Sequence, residues 1–183
     1  MKTIRMQREF HSGARQRGAI LVVSLILLLI MTILALTVSQ TSRMQERMAG
    51  NARDSDLSFQ AAEAGLRSAE KFLWDQTAQP IACGTPPCTV YQKDALSTTN
   101  LTVQDKAWWI ANAKEYGVAG TQEVTGVKSD PRYVIEELGF TPFSLTVGKG
   151  VPGGRTFYRN TARGVGGTEA AQTVVETTFT RPY

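Results

Sequence analysis

The stretch GAILVVSLILLLIMTILALTV, residues 18–38, decides how the rest of the chain is interpreted. No charged residue lies between Arg17 and Arg43. The twenty residues 19–38 would form a helix about 30 Å long, which is roughly the thickness of the hydrocarbon core of a bilayer. This segment is therefore predicted to be a helix that spans a membrane once.

The basic charge of the chain is concentrated in front of this helix. The net charge is +4, and residues 1–18 alone carry five basic residues against one acidic residue. The remaining chain is neutral, with 15 basic and 15 acidic residues, so the electrostatic case for a nucleic-acid partner is weak. Basic residues next to a membrane helix stay on the cytoplasmic side. We therefore expect the N-terminus inside the cell and the rest of the chain outside the cytoplasmic membrane.

Helical periodicity continues beyond the membrane segment. Apolar and small residues recur at steps of three or four, which places them on one side of a helix. These residues are Met44, Met48, Ala52, Ser55, Phe59, Ala62, Leu66, Ala69 and Leu73. No proline occurs there before Pro80. The pattern predicts one continuous helix from residue 19 to about residue 76, apolar all round over 19–41 and amphipathic over 42–79. Its apolar stripe needs a cover from further along the chain.

Residues 80–183 are predicted to form an α+β head domain that supplies this cover. A loop at 80–103 and a short helix at 102–116 precede three predicted strands, at 132–138, 156–164 and 170–180. The last two strands flank Val165-Gly166-Gly167-Thr168, which is typical of a hairpin turn. The predicted fold is one long N-terminal helix whose second half packs on a small antiparallel sheet, with residues 1–18 as a basic leader.

The two cysteines lie in a short loop, Cys83-Gly-Thr-Pro-Pro-Cys88. Turn residues between closely spaced thiols favour a small disulfide in an oxidising compartment. Two unpaired thiols are the alternative interpretation. A metal site is disfavoured, because two thiolates are too few for structural zinc and the only histidine, His11, lies in the leader. No cofactor is predicted.

These features resemble a type IV pilin-like protein: a basic leader that ends in glycine, an uninterrupted apolar helix, and a sheet on the second half of that helix. Two further stretches, over roughly residues 17–71, are similar to the N-terminal region of the PilX-like minor pilins. They are Glu46-Arg47-Met48-Ala49-Gly50-Asn51 and Phe59-Gln60-Ala61-Ala62-Glu63. The resemblance implies that a prepilin peptidase cleaves between Gly18 and Ala19 and methylates the new N-terminus.

Two residues depart from the pattern of the pilin family. Ala19 stands where the family usually has phenylalanine, and Ser24 stands where it usually has glutamate, at the fifth position after the cut. The family's glutamate is thought to neutralise the N-terminal amine of a neighbouring subunit. Because a buried carboxylate is costly unless it is paired, a subunit with no neighbour above it gains from lacking one. Ser24 is therefore interpreted as a determinant of a position at the filament tip, with drift in a minor subunit as the alternative.

Catalysis has little support in the sequence. After the implied cleavage the chain would contain no histidine, which removes the commonest general base. Glu136 and Glu137 are adjacent, so on a strand they point to opposite faces and cannot act as a pair. The Trp108–Trp109 pair is interpreted as part of the core. We therefore predict a protein that is not an enzyme.

The resemblance implies a minor pilin that primes assembly of a type IV pilus or lies at its tip. Its implied partners are the other minor pilins, the major pilin and the prepilin peptidase, with a tip adhesin as a further candidate. It would reside in the inner membrane with a periplasmic head, and then in the pilus. Two alternatives stay open: a minor pseudopilin of type II secretion, and an uncleaved membrane-anchored periplasmic binding protein.

Overall fold

The computed structural model describes residues 18–143 and 153–183. Most of the leader, including His11, lies outside the described residues. Within these residues two helices and five strands follow one another, and their bounds are α1 Ala19–Asp75, β1 Val90–Tyr91, α2 Lys106–Asn112, β2 Lys114–Glu115, β3 Arg132–Pro142, β4 Gly154–Val165 and β5 Gln172–Pro182. The chain divides into two compact units, an N-terminal unit that ends at Arg47 and a C-terminal unit that begins at Met48.

Helix α1 confirms the predicted continuous helix. No proline interrupts α1, and the helix ends at Asp75, after which residues that favour loops begin. Within the described residues, α1 is the one helix long and apolar enough to cross a membrane. The apolar side chains from Ile20 to Val38 are all about half exposed or more, as a membrane segment requires.

The five strands form a single sheet in the order β1-β3-β4-β5, and β2 pairs with β3 beside β1. The pairs β3–β4 and β4–β5 are antiparallel, as predicted, whereas the two-residue strand β1 runs parallel to β3. The predicted helix 102–116 is shorter than expected, since α2 covers Lys106–Asn112 and the following β2 pairs antiparallel with β3. The fold class is thus the predicted α+β arrangement, with one parallel pair that makes the sheet mixed. Strand β1 lies inside the predicted loop 80–103, and it was not predicted because two residues are too few to show a periodicity.

Strand β3 is longer than predicted. The expected strand ended at Leu138, but β3 continues to Pro142 through a shift in register between Glu137 and Gly139. Gly139 has a φ of 154°, a conformation that side-chain-bearing residues rarely adopt. The glycine that marked the predicted end of the strand instead forms a bulge within it.

Each face of the sheet carries its own hydrophobic cluster. On one face α1 packs through Leu66, Ala69 and Leu73 against side chains that include Tyr133 and Tyr158. On the other face, Trp109 of α2 is fully buried and packs with Tyr91, Leu96 and Val134. The ring of Trp108 meets that of Trp109 edge to face, with 5.4 Å between centroids, so the pair belongs to the core as predicted.

Candidate functional site

Three hydroxyl side chains between residues 19 and 38 of α1 are satisfied by the helix itself. The hydroxyl of Ser24 donates to the carbonyl oxygen of Leu21 at 2.9 Å, and that of Thr32 donates to Leu29 at 2.8 Å. Thr37 bonds in the same way to carbonyls in the preceding turn. None of the three hydroxyls needs an outside partner in an apolar surrounding. Ser24 thus adds no charge and no open hydrogen-bonding demand to this segment.

The Ala-rich part of the motif resembling PilX lies where α1 touches the sheet. Ala61 and Ala62 are at most 1% exposed, and Gly65 is also buried. A β-carbon on Gly65 would lie 3.1 Å from the β-carbon of Ala162 in β4. Small side chains occur here because the helix and the sheet approach each other too closely for larger ones.

The rest of the motif is not buried in the contact. All six residues of Glu46-Arg47-Met48-Ala49-Gly50-Asn51 are exposed, and so are Phe59 and Gln60. The predicted apolar stripe is thus covered by the sheet only from Ala62 onwards, and Met44, Met48, Ala52, Ser55 and Phe59 are exposed. The prediction that the sheet covers this first half was wrong, because all five of these side chains are exposed in the described residues.

Three motif residues face an open cleft on the side of α1. The cleft has a volume of about 900 Å³. Phe59, Gln60 and Glu63 line it from the helix, together with Arg67. Tyr116 and Glu123 line it from the loops beside β2. Its wall carries both acidic and basic side chains, which is typical of a solvated surface rather than of a pocket for an apolar ligand.

Two glycines at the end of β4 allow the hairpin to approach α1. A β-carbon on Gly164 would overlap the carbonyl oxygen of Ser58 and the amide nitrogen of Ala62. A β-carbon on Gly166 would overlap the carbonyl oxygen of Asp54. From its local sequence Gly166 was predicted only to be part of a turn. Its second role depends on the helix backbone that lies against it.

Asp54 anchors the β4–β5 turn to the helix. Its carboxylate accepts the amide of Thr168 at 3.1 Å and also accepts the hydroxyl of Thr168. One turn further along α1, the hydroxyls of Ser58 and Thr173 lie 2.6 Å apart. The hydrogen bond from the Thr168 side chain is the main reason why the pKa of Asp54 is lowered from 3.8. Nothing in the local sequence distinguishes Asp54 from the solvated acidic residues around it, so its contact was not foreseen.

Replacement of Asp54 by asparagine is expected to destabilise the C-terminal unit at neutral pH. Because the folded pKa is below the unfolded value of 3.8, ionised Asp54 stabilises the fold above that value. The contribution is lost as the pH falls through the folded pKa. Urea unfolding followed by tryptophan fluorescence should show a constant difference between wild type and Asp54→Asn from pH 7 to about pH 5. The difference should shrink below about pH 4. A difference that does not change with pH would contradict this role.

The far end of α1 is held by strand β5. The guanidinium group of Arg181 donates to the carbonyl oxygen of Leu73 in the last turn of the helix. The same group stacks on the rings of Trp74 at 5.7 Å and Tyr183 at 5.3 Å. Since the last carbonyls of a helix have no partner within it, Arg181 serves as a side-chain cap.

Glu136 and Glu137 lie on opposite faces of β3, as predicted, and Glu136 is used structurally. Its side chain is 2% exposed. One carboxylate oxygen accepts the amide of Leu96 at 3.2 Å, and the other accepts Nε of Arg159 at 3.1 Å. The hydrogen bond to Glu136 is the main reason why the pKa of Arg159 is raised. The buried carboxylate is therefore paired, and it holds the loop before α2 against the sheet.

Cys83 and Cys88 form the predicted disulfide. The loop is tied to the sheet by hydrogen bonds between Cys83 and both Val90 and Gln92, which extend the parallel pairing of β1. Within residues 18–143 and 153–183, no three His, Cys, Asp or Glu side chains come together in a metal-binding arrangement.

Two protein-family models match this chain. A model described as PilX N-terminal matches residues 17–67, and a model described as type IV pilus assembly protein PilX C-term matches residues 55–181. The chain belongs to the PilX family. No curated protein and no solved structure gives a significant match. The two PilX models overlap over residues 55–67, which includes the turns of α1 that contact β4.

Membership in the PilX family assigns the chain to type IV pilus assembly as a minor pilin. PilX proteins are structural pilus components, and the apolar part of α1 is the membrane-anchoring helix that such a component requires. Interaction with other pilus components follows from the family.

Proposed function

We propose that this PilX-family chain is a minor pilin that primes pilus assembly and occupies the filament tip. Residues 19–41 would serve first as a membrane anchor and later as part of the filament core. Residues 42–79 would connect this segment to the periplasmic head at 80–183. Before assembly the protein would be held in the inner membrane with its N-terminus in the cytoplasm.

The observation that carries the tip position is Ser24. Its hydroxyl is bonded to Leu21 within the helix, so the residue brings neither a charge nor an unsatisfied group into an apolar core. The family's usual glutamate at this position would need a cationic partner there, because an unpaired carboxylate in an apolar medium is costly. A subunit that has no neighbour above it lacks that partner.

Replacement of Ser24 by glutamate is expected to abolish piliation while protein levels stay normal. The added carboxylate would have no amine to pair with at the tip, and the cost of burying it should prevent stable insertion. Pili are counted by electron microscopy, and protein levels are measured by immunoblot. Ser24→Gln is the matched control, because it adds similar bulk without a charge, and it should retain most pili. Normal piliation with Ser24→Glu would indicate an internal position.

Processing is proposed between Gly18 and Ala19, and it can be tested directly. Mass spectrometry of membrane-extracted protein should find N-methylated Ala19 as the first residue. An intact Met1 would exclude maturation as a pilin and favour an uncleaved membrane-anchored protein. The prepilin peptidase would be the partner at this step.

The proposed partners in the filament are the other minor pilins, the major pilin and a tip adhesin. Deletion of the chain should reduce piliation and leave type II secretion intact. Loss of secretion with normal pili would instead assign the chain to a secretion pseudopilus. The PilX family match supports the first outcome.

A further inference from the structure

Strand β5 forms a long open edge of the sheet. It is the last strand in the order β1-β3-β4-β5, and it pairs with no second strand within residues 18–143 and 153–183. It has 11 residues, all of which pair with β4 in one continuous register from Val165↔Gln172 to Arg155↔Pro182. The opposite edge differs, because β1 and β2 cover β3 from Arg132 to Glu136. The edge at β3 is thus covered over part of its length, whereas β5 is open over all of its length in the described residues.

The hydrogen bonds at both ends of β5 show which backbone groups face outwards. The amide of Gly166 donates to Ala171, and the amide of Tyr183 donates to Gly154. In an antiparallel pair the inward-bonding residues alternate, so the odd-numbered residues from 171 to 183 bond to β4. The even-numbered residues present their backbone groups to the open edge. These are Gln172, Val174, Glu176, Thr178 and Thr180, followed by Pro182, which has no amide hydrogen.

Over residues 172–180 this edge has few of the features that usually prevent strand pairing. Short length, charged side chains, proline, bulges and inward-pointing charges are common protections of a sheet edge, and in β5 the proline and the inward-facing arginine stand only at its end, at Arg181 and Pro182. β5 has no lysine, and its register with β4 contains no shift. Between residues 172 and 180 its one charged side chain is Glu176, which is exposed and forms no ion pair in the described residues. The strand is rich in β-branched threonine and valine, which favour extended pairing.

We propose that the open edge of β5 binds an extended segment of another pilus subunit, which adds a strand to the sheet. The backbone of that segment bonds to the outward groups from Gln172 to Thr180. A basic side chain on the segment lies opposite Glu176. An apolar side chain on the other face packs beside the partly buried Val175 and Phe179. This inference rests on the proposed role in pilus assembly, and it names the surface through which the head recruits its partner.

The first test is Thr178→Pro. This change removes an amide that points away from β4, and it places the proline ring in the path of an added strand. The pairing of β5 with β4 is left intact, so the full-length protein in detergent should unfold within a few degrees of wild type. We expect at least a tenfold loss of pili. Thr178→Val is the matched control, because it keeps the amide and the β-branch, and it should be piliated normally. Normal piliation with a folded Thr178→Pro variant would overturn the inference.

The second test applies even if the proline variant unfolds. A benzophenone amino acid is placed at Glu176 in cells that carry the other pilus genes, and the adducts are identified by mass spectrometry. The expected adduct joins position 176 to an extended segment of a pilus subunit. The same probe at Thr85, an exposed residue in the disulfide loop beside β1, should not give it. An adduct only with a second copy of this chain, or no adduct with a pilus subunit, would overturn the inference.

Different results would contradict the proposed role in pilus assembly and the proposed strand addition at β5. If deletion of the whole chain leaves piliation unchanged, the proposed function is wrong. If deletion abolishes pili but folded Thr178→Pro does not, the role in assembly stands and the partner binds elsewhere.

Discussion

Replacement of Gly164 by alanine is expected to destabilise the C-terminal unit by roughly 3 kcal/mol, the upper part of the range for overpacked cores. The added β-carbon would overlap backbone atoms of Ser58 and Ala62, and backbone atoms cannot move aside as a flexible side chain can. The helix and β4 would have to separate. This separation would also remove the packing around Ala61, Ala62 and Gly65.

The measurement is urea unfolding of the full-length protein in detergent, followed by tryptophan fluorescence. All three tryptophans lie in the C-terminal unit, so the signal reports on that unit. Gly50→Ala is the control, because it adds the same methyl group to a helical glycine that has no atom within 4 Å. It should stabilise the helix by about 0.5–1 kcal/mol. Equal effects of the two substitutions would show that close packing at Gly164 does not hold the helix on the sheet.

The second large loss of stability is expected from Arg159→Met. This change leaves the carboxylate of Glu136, which is 2% exposed, without its cation. Loss of one partner from a buried pair costs about 3–5 kcal/mol. Since the Arg159 side chain is 31% exposed, solvent screens part of that cost, and we expect about 2–3 kcal/mol.

A double substitution separates the charge from the packing. Glu136→Leu combined with Arg159→Met removes both charges and should recover most of the lost stability. A deficit of about 1 kcal/mol should persist, because the amide of Leu96 loses its acceptor. Lys106→Met is the exposed control, since it breaks the surface pair with Glu169 and should cost less than about 1 kcal/mol. A double variant that is no more stable than Arg159→Met alone would contradict this interpretation.

The elements foreseen from the sequence are those with long local patterns. The apolar run, the three- and four-residue spacing after it, and the Gly-Gly turn between alternating strands predicted α1, β4 and β5 within a few residues. The short loop between Cys83 and Cys88 predicted the disulfide. Strand β1 and the bulge at Gly139 were not foreseen, because each depends on a neighbouring strand that is distant in sequence.

The sequence predicted the location of the candidate site but not the burial of each of its residues. The motif 59–63 pointed to the correct turns of α1, but its spacing alone could not divide it into buried Ala61 and Ala62 and exposed Phe59 and Gln60. The roles of Asp54 and Glu136 were missed, because an acidic residue that anchors a distant turn has the same local sequence context as a solvated one.

The sequence by itself determined the anchor, the order of the main elements and the resemblance to PilX, because each of these depends on a pattern that is read along the chain. Tertiary structure alone decided which half of the apolar stripe is covered, why Gly164 and Gly166 must be glycine, and which edge of the sheet stays open. The first two properties depend on contacts between segments about one hundred residues apart, such as that of Asp54 with Thr168, and the open edge depends on the order of the strands in the sheet. The physical reason is that burial and steric overlap belong to pairs of surfaces, whereas periodicity belongs to one segment.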